Sequence, residues 1–177
     1  LSGTVYNTVS FVNIQSMGNA IDFGDTSTVV RNNGALASST RALSGGGATP
    51  STINTIEFFT IATASNATDF GDLTAVKASP YPTGNQTRGI WAGAYNYPAG
   101  VYSIDFVTIA SQGNASDFGD RLNSIHSSNR SQCNSTTRGL ITGGYNPSPG
   151  AMVNIIEKLE IATTGDTTDF GDMTSPR

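Results

Sequence analysis

Charge and the side chains that bind metals or form covalent links are what this sequence has least of. Only 12% of its 177 residues are Asp, Glu, Lys or Arg, and it has one cysteine, Cys133, one histidine, His126, and one tryptophan, Trp91. A single cysteine excludes an internal disulfide, so packing or assembly must hold the fold. One histidine and one cysteine cannot build a zinc site or a recurring catalytic triad, and His126 reads as a solvated loop residue. The nine basic residues are scattered and the formal net charge is −4, which argues against a nucleic-acid surface. No apolar run reaches the length of a membrane helix, and the first residues lack the pattern of a secretory signal, so a soluble chain without membrane insertion is expected. No stretch of helical length sustains an apolar period near 3.6, so almost no helix is expected.

What the chain does have is Gly, Ser, Thr and Asn in abundance, and a repeat. Asp-Phe-Gly-Asp begins at Asp22, Asp69, Asp117 and Asp169, at spacings of 47, 48 and 52 residues. Thirteen residues before each copy an apolar strand pattern begins, at Val9, Ile56, Ile104 and Ile156. A third element, Thr-Arg followed by apolar residues and glycine, places Arg41, Arg88 and Arg138 in register, and Leu1-Ser2-Gly3 reads as the tail of a fourth copy. Three elements in fixed order define one supersecondary unit, giving a single domain of four units at 1–36, 37–84, 85–133 and 134–177, the first incomplete. Apolar residues fall on both alternating faces of the strand, Ile56 and Phe58 on one and Phe59 and Ile61 on the other. Burial from both sides is therefore required, as for a small sheet between two copies of itself.

The tetrapeptide reads as a turn with an anchor. Its glycine permits positive φ, its Asp side chains accept backbone N–H groups, and Phe23, Phe70, Phe118 and Phe170 insert between sheets. The recurrence of Arg41, Arg88 and Arg138 suggests pairing with a tetrapeptide Asp in the same or an adjacent unit. Four even copies of Asp-Phe-Gly exclude a kinase, and Ser44-Gly45-Gly46-Gly47 lacks the Lys of a phosphate loop. The acidic tetrapeptides lack the alternating oxygen ligands of a calcium loop, and the five Asn-x-Ser/Thr sequons, at Asn66, Asn85, Asn114, Asn129 and Asn134, are close to what composition alone supplies. No catalytic, cofactor-binding or metal-binding residue is assigned, no cofactor is expected, and the chain reads as a non-enzyme; a glycan hydrolase would need a paired-carboxylate cleft that no spacing reveals. Function is expected on the variable loops. Tyr81, Trp91, Tyr95, Tyr97 and Tyr145 are the candidates there, as subunit contacts or as platforms for sugar rings.

A strand ending in Gly-Gly, a variable loop, an apolar strand, an aromatic segment and a basic residue about five positions later resemble the kelch repeat of β-propellers. Gly45-Gly46 and Gly143-Gly144 carry the diglycine, while Gly93-Ala94 departs from it. Phe stands where kelch blades usually have Trp. Lys77 and Arg177 lie five residues beyond the tetrapeptide and Arg31 six, with no clear equivalent in the third unit. More narrowly, the run from Thr137-Arg138-Gly139-Leu140 to Gly143-Gly144-Tyr145, Ile104 to Ser111, and Asn114 to Asp120 is similar to repeats in virion proteins of marine tailed phages, particularly cyanophages. The resemblance covers essentially the whole chain. It implies an all-β, kelch-like β-propeller of about four blades with a structural role on a virus particle; the four units would either close as a small ring with an incomplete first blade, or form part of a larger ring completed by residues outside this sequence, or have their ends covered by partner chains. That role would be a tail fibre, a tail-associated protein or a capsid decoration. The partners it implies are other virion proteins, copies of the chain, or a host-surface glycan or protein; a cellular or secreted protein- or glycan-binding module is the alternative. Lys158 and Glu160 replace Phe106 and Thr108 of the preceding unit, so the last unit is expected to have a more solvated face and to make assembly contacts.

Overall fold

The computed structural model describes residues 4–96, 99–123, 133–147 and 150–177. Leu1-Ser2-Gly3, Tyr97, His126 and Asn129 lie outside the described residues. Among those described there is no helix, and the chain is all-β. β1 (Thr8–Phe11) and β2 (Ile21–Asp25) form a two-stranded antiparallel sheet, sheet I. Sheet II orders β3 (Gly34–Ala37), β4 (Arg41–Gly45), β7 (Thr55–Thr60) and β8 (Thr68–Asp72), with a small hairpin, β5 (Ala48–Thr49) and β6 (Ser51–Thr52), inserted after β4. Sheet III is β9 (Tyr81–Gly84), β10 (Arg88–Asn96), β11 (Ala99–Thr108) and β12 (Ser116–Asp120). Sheet IV is β13 (Cys133–Asn134), β14 (Arg138–Asn146), β15 (Ala151–Glu160) and β16 (Thr168–Asp172). Each is an antiparallel meander, and β3 lies against β9 while β9 lies against β13 and β14, so sheets II to IV meet along their first strands.

The repeated motifs explain each meander. Thr-Arg opens the second strand after a turn closed by a side chain three residues before the arginine. Asn85 Oδ1 accepts the N–H groups of Thr87 and Arg88, and Ser135 Oγ accepts those of Thr137 and Arg138. These are Asx- and Ser-type turns, which mimic a backbone turn. The carbonyls of Thr40, Thr87 and Thr137 then receive the N–H of Ile61, Ile109 and Ile161, ending the pairing of second and third strands. Sheets II to IV thus begin at 34, 81 and 133, one strand before the Thr-Arg element from which the sequence units were counted.

Asp-Phe-Gly-Asp is not a turn but most of the fourth strand. Ile56 pairs with Gly71 and Glu57 with Asp69, so Phe70 is the extra residue of a β-bulge. The same shift skips Phe23, Phe118 and Phe170. A bulge bends the strand and re-aims one side chain, which here sends the phenyl ring between sheets. The tetrapeptide stays extended because ladder pairing holds on both sides of the bulged Phe, and its first Asp serves locally, Asp22 and Asp169 accepting the N–H of Gly24 and Gly171.

The core is not within sheets but between them. Leu36, Leu43, Ile56, Phe58 and Phe70 of sheet II meet Trp91, Val107 and Ile109 of sheet III. In the same positions Ile90, Ile104, Phe106 and Phe118 of sheet III meet Ile141, Leu159 and Ile161 of sheet IV. Sheets II and III, which lie between two others, therefore bury both faces, as the apolar alternation of the third strand requires, whereas sheets I and IV each keep an exposed face.

Candidate functional site

The junctions between sheets repeat one set of contacts. In sheets II, III and IV the loop joining third and fourth strands lies over the tetrapeptide of the sheet before it. Asp25, Asp72 and Asp120 donate their N–H groups to Asn66 Oδ1, Asn114 Oδ1 and Asp166 Oδ1, at 3.0, 3.0 and 2.9 Å. The carbonyls of the same three residues accept the N–H of Ala67, Ala115 and Thr167 at 2.8, 2.7 and 2.9 Å. The tetrapeptide glycines lie beneath this loop: a Cβ on Gly71 would stand 2.5 Å from the Gly113 carbonyl oxygen, and one on Gly24 2.2 Å from that of Ser65. Only glycine allows the two backbones to approach so closely.

The four phenylalanines divide by whether a sheet follows them. Phe70 packs edge-on to Phe58 and Phe118 to Phe106, at centroid distances of 5.9 and 5.8 Å, and both rings are 2% exposed. Phe23 makes the same contact with Phe11 and a second with Phe59 of sheet II. Among the described residues no sheet lies beyond Phe170, which is 54% exposed.

The three arginines do not pair with a tetrapeptide Asp. Arg41 Nη1 donates to the Ile109 carbonyl at 2.8 Å and Arg88 Nη1 to the Ile161 carbonyl at 2.9 Å, each reaching into the following sheet. Each guanidinium also lies over a ring of its own sheet, Phe58 at 4.6 Å and Phe106 at 4.9 Å. Carbonyl and ring lie along the arginine's own path across the junction, so the guanidinium is satisfied there rather than at the tetrapeptide carboxylates. In sheet IV the ring position is Lys158, and Arg138 instead forms an exposed 2.8 Å pair with Glu160 of its own sheet. Arg88→Ala is accordingly expected to lower stability by about 1–2 kcal/mol, since a desolvated cation–π contact and a charge-assisted bond are both lost. Arg138→Ala is expected to change stability by less than about 0.5 kcal/mol, as exposed pairs contribute little; paired chemical denaturation curves check both.

A carboxylate on the third strand anchors each junction from the other side. Asp105 Oδ1 is 3.1 Å from Lys77 Nζ, with both side chains fully buried, and its carboxylate also accepts the N–H and Oγ1 of Thr74. Lys77 Nζ further donates to the Ser103 carbonyl. Burial pushes the Lys77 ammonium below its ordinary pKa, against the opposing pull of Asp105. Glu157 pairs with Arg121 at 3.0 Å, equally buried, and accepts from Asn123 and Thr167. At the first junction Glu57 accepts the Ser27 N–H, but Val30 stands in the position of Lys77, and no cation pairs with Glu57 among the described residues. Instead a small cavity opens beside it, lined by Val30, Ser27, Thr28, Ser44 and Thr55. This column of acids was legible as an Asp or Glu recurring one residue after the strand isoleucine in three units.

The loop aromatics are placed differently from expectation. Tyr81 and Trp91 are on strands and are buried rather than presented to a ligand. Trp91 Nε1 donates to the Gly34 carbonyl at 2.9 Å, and its ring lies directly over Gly45 of sheet II. Tyr81 donates to the Thr142 carbonyl of sheet IV and lies under the Arg121 guanidinium. The space between sheets takes a large ring more readily than a rim does, because there the ring loses contact with water on both faces. Tyr95 is half-buried on β10, its backbone paired with Ala78. Tyr145 is exposed near the end of β14, opposite Met152. No group of three or more His, Cys, Asp or Glu able to hold a metal occurs among the described residues. No protein-family model matches the chain, and no curated protein matches it at a significant level.

Proposed function

We propose that the chain is a non-enzymatic structural module, an arc of a kelch-like β-propeller borne on a phage particle as a tail fibre, tail-associated protein or capsid decoration. One observation carries the structural role: the same junction is built three times, and the two end faces keep the parts of that junction without a partner. Meeting along their first strands suits sheets II to IV to blades arranged about an axis. The virion setting rests on the resemblance of the three repeated elements to marine tailed-phage repeats. On this reading the rigid sheets position the end faces for other virion proteins or copies of the chain, and leave the exposed Tyr145 near the end of β14 for a host-surface glycan or protein.

Density-gradient fractionation of a lysate of the source, followed by peptide mass spectrometry, tests the setting. The chain is expected to band with particles at a stoichiometric copy number. Recovery only from the cell or the medium, free of particles, would favour the cellular or secreted binding module.

A further inference from the structure

The two ends of the arc are halves of one junction. At the C-terminal end, Gly171 has the φ of +138° that its counterparts adopt, yet a Cβ there would meet nothing within 4 Å, because no loop lies over it. Phe170 is uncovered, and Arg138 reaches no following sheet but lines a groove with Cys133, Asn134, Ser135, Leu140 and Phe170. At the N-terminal end the loop that should cover such a glycine is present and unused. Gly18-Asn19-Ala20 aligns with Ser65-Asn66-Ala67, Gly113-Asn114-Ala115 and Gly165-Asp166-Thr167, at the same distance before the tetrapeptide. Val12 and Ile14 align with Val107 and Ile109, and with Leu159 and Ile161. Those four are at most 4% exposed in their junctions, and Phe59 and Ile61 at the first junction, which faces the two-stranded sheet I, are 7% and 42% exposed, whereas Val12 is 56% and Ile14 96% exposed.

From this complementarity we infer that sheet IV docks head to tail on sheet I of a second copy of the chain. The inference rests on the structural reading above and names the partner of its end faces. The contacts between tetrapeptide and covering loop have counterparts at the new junction. The Asp172 N–H donates to the Asn19 side-chain oxygen, and the Asp172 carbonyl accepts the Ala20 N–H, as Asp72 does with Asn114 and Ala115. The Phe170 carbonyl accepts the Gly18 N–H, as Phe70 accepts that of Gly113. The Phe170 ring enters between Val12 and Ile14, and Arg138 turns from Glu160 to the Ile14 carbonyl. Two elements are missing among the described residues: sheet I has only β1 and β2, so nothing takes the place of Trp91 and Ile141 on the second strands of sheets III and IV, and Ser10 stands where Glu57, Asp105 and Glu157 supply the buried carboxylate. The junction between copies is therefore weaker than those within the chain, and association depends on concentration. A head-to-tail contact uses two different patches, so it propagates into a ring or a filament rather than stopping at a symmetric pair.

Sedimentation velocity of the full chain over a concentration series, with Ile14→Asp and Phe170→Asp, tests this. Both side chains are exposed, so both variants are expected to retain the wild-type circular dichroism spectrum. The wild type is expected to associate, and each variant to lose association by at least about tenfold. Mixing them is expected to yield a one-to-one complex, because Ile14→Asp keeps an intact sheet IV face and Phe170→Asp an intact sheet I face. Asn19→Asp is expected to associate like the wild type, since Asp166 already fills this role at the third junction. A wild type monomeric at every concentration, or variants that fail to complement, overturns the inference, as does either variant that still self-associates through some other surface. A monomer that nevertheless bands with particles would sink the docking and leave the structural reading standing; an associating chain absent from particles would do the reverse.

Discussion

Gly119→Ala is expected to destabilise the protein far more than Gly171→Ala, although the two glycines occupy the same place in the repeat. Both have a strongly positive φ, +144° and +138°. An alanine therefore brings a similar backbone strain at each, about 1–3 kcal/mol. At Gly119 the added Cβ would also stand 2.5 Å from both the carbonyl carbon and the oxygen of Gly165, backbone atoms that cannot swing aside. The loop must then lift, taking with it the bond from the Gly165 N–H to the Phe118 carbonyl and those that join Asp120 to Asp166 and Thr167. The total is expected to reach about 4 kcal/mol, or a fall in Tm of roughly 10 °C in a chain of this size. The difference between the two variants, read by thermal melting at low protein concentration, isolates close approach of sheets from backbone strain. Equal losses would mean that the loops do not hold the sheets together.

The buried carboxylates provide the second large effect. Asp105→Asn removes the charge that compensates Lys77, leaving an ammonium at 0% exposure without its counter-ion. Removing one partner of a buried pair costs about 3–5 kcal/mol. Glu57→Gln is expected to cost under about 1 kcal/mol, because among the described residues no cation pairs with Glu57 and the amide oxygen still accepts the Ser27 N–H. The pH dependence has a definite sign. The Lys77 pKa is lowered in the fold from 10.5, so between the folded and the unfolded value the unfolded chain binds more protons. Stability attributable to Lys77 thus rises with pH through that window and is flat below it. Asp105→Asn withdraws the interaction that holds the ammonium charged, so the window is expected to widen towards lower pH. Urea denaturation at a series of alkaline pH values checks this, with a slope unchanged from the wild type counting against it.

Much of the fold was readable because the repeat is also a local code. The apolar third strand, the Thr-Arg start of the second strand and the bulge glycine each act on residues within a few positions of themselves. Their recurrence made four equivalent sheets the economical reading. The first strand of each sheet was not readable. Gly34–Ala37, Tyr81–Gly84 and Cys133–Asn134 share no pattern, and one contains Pro82, because this strand is held by the second strand and by packing along the neighbouring first strands. Trp91 and Tyr81 were misplaced for a related reason. An aromatic residue near Gly and Pro suggests a loop, but here glycines at 34 and 45 clear space for the indole in another sheet.

The order of residues by itself determined the period, the near absence of helix and the two-sided apolar alternation of the third strand, since alternation and steric freedom are properties of adjacent residues. Only the tertiary structure decided which residues meet across a junction. Asp25 finds Asn66 from 41 positions away, Arg88 finds the Ile161 carbonyl from 73, and Lys77 finds Asp105 rather than any acid of its own sheet. Such pairs form when whole sheets come together, so each depends on the shape of two surfaces that no single segment carries. For the same reason the exposed ends were visible only in three dimensions: Phe70 and Phe170 lie in the same tetrapeptide, and the presence or absence of a following sheet is what distinguishes them.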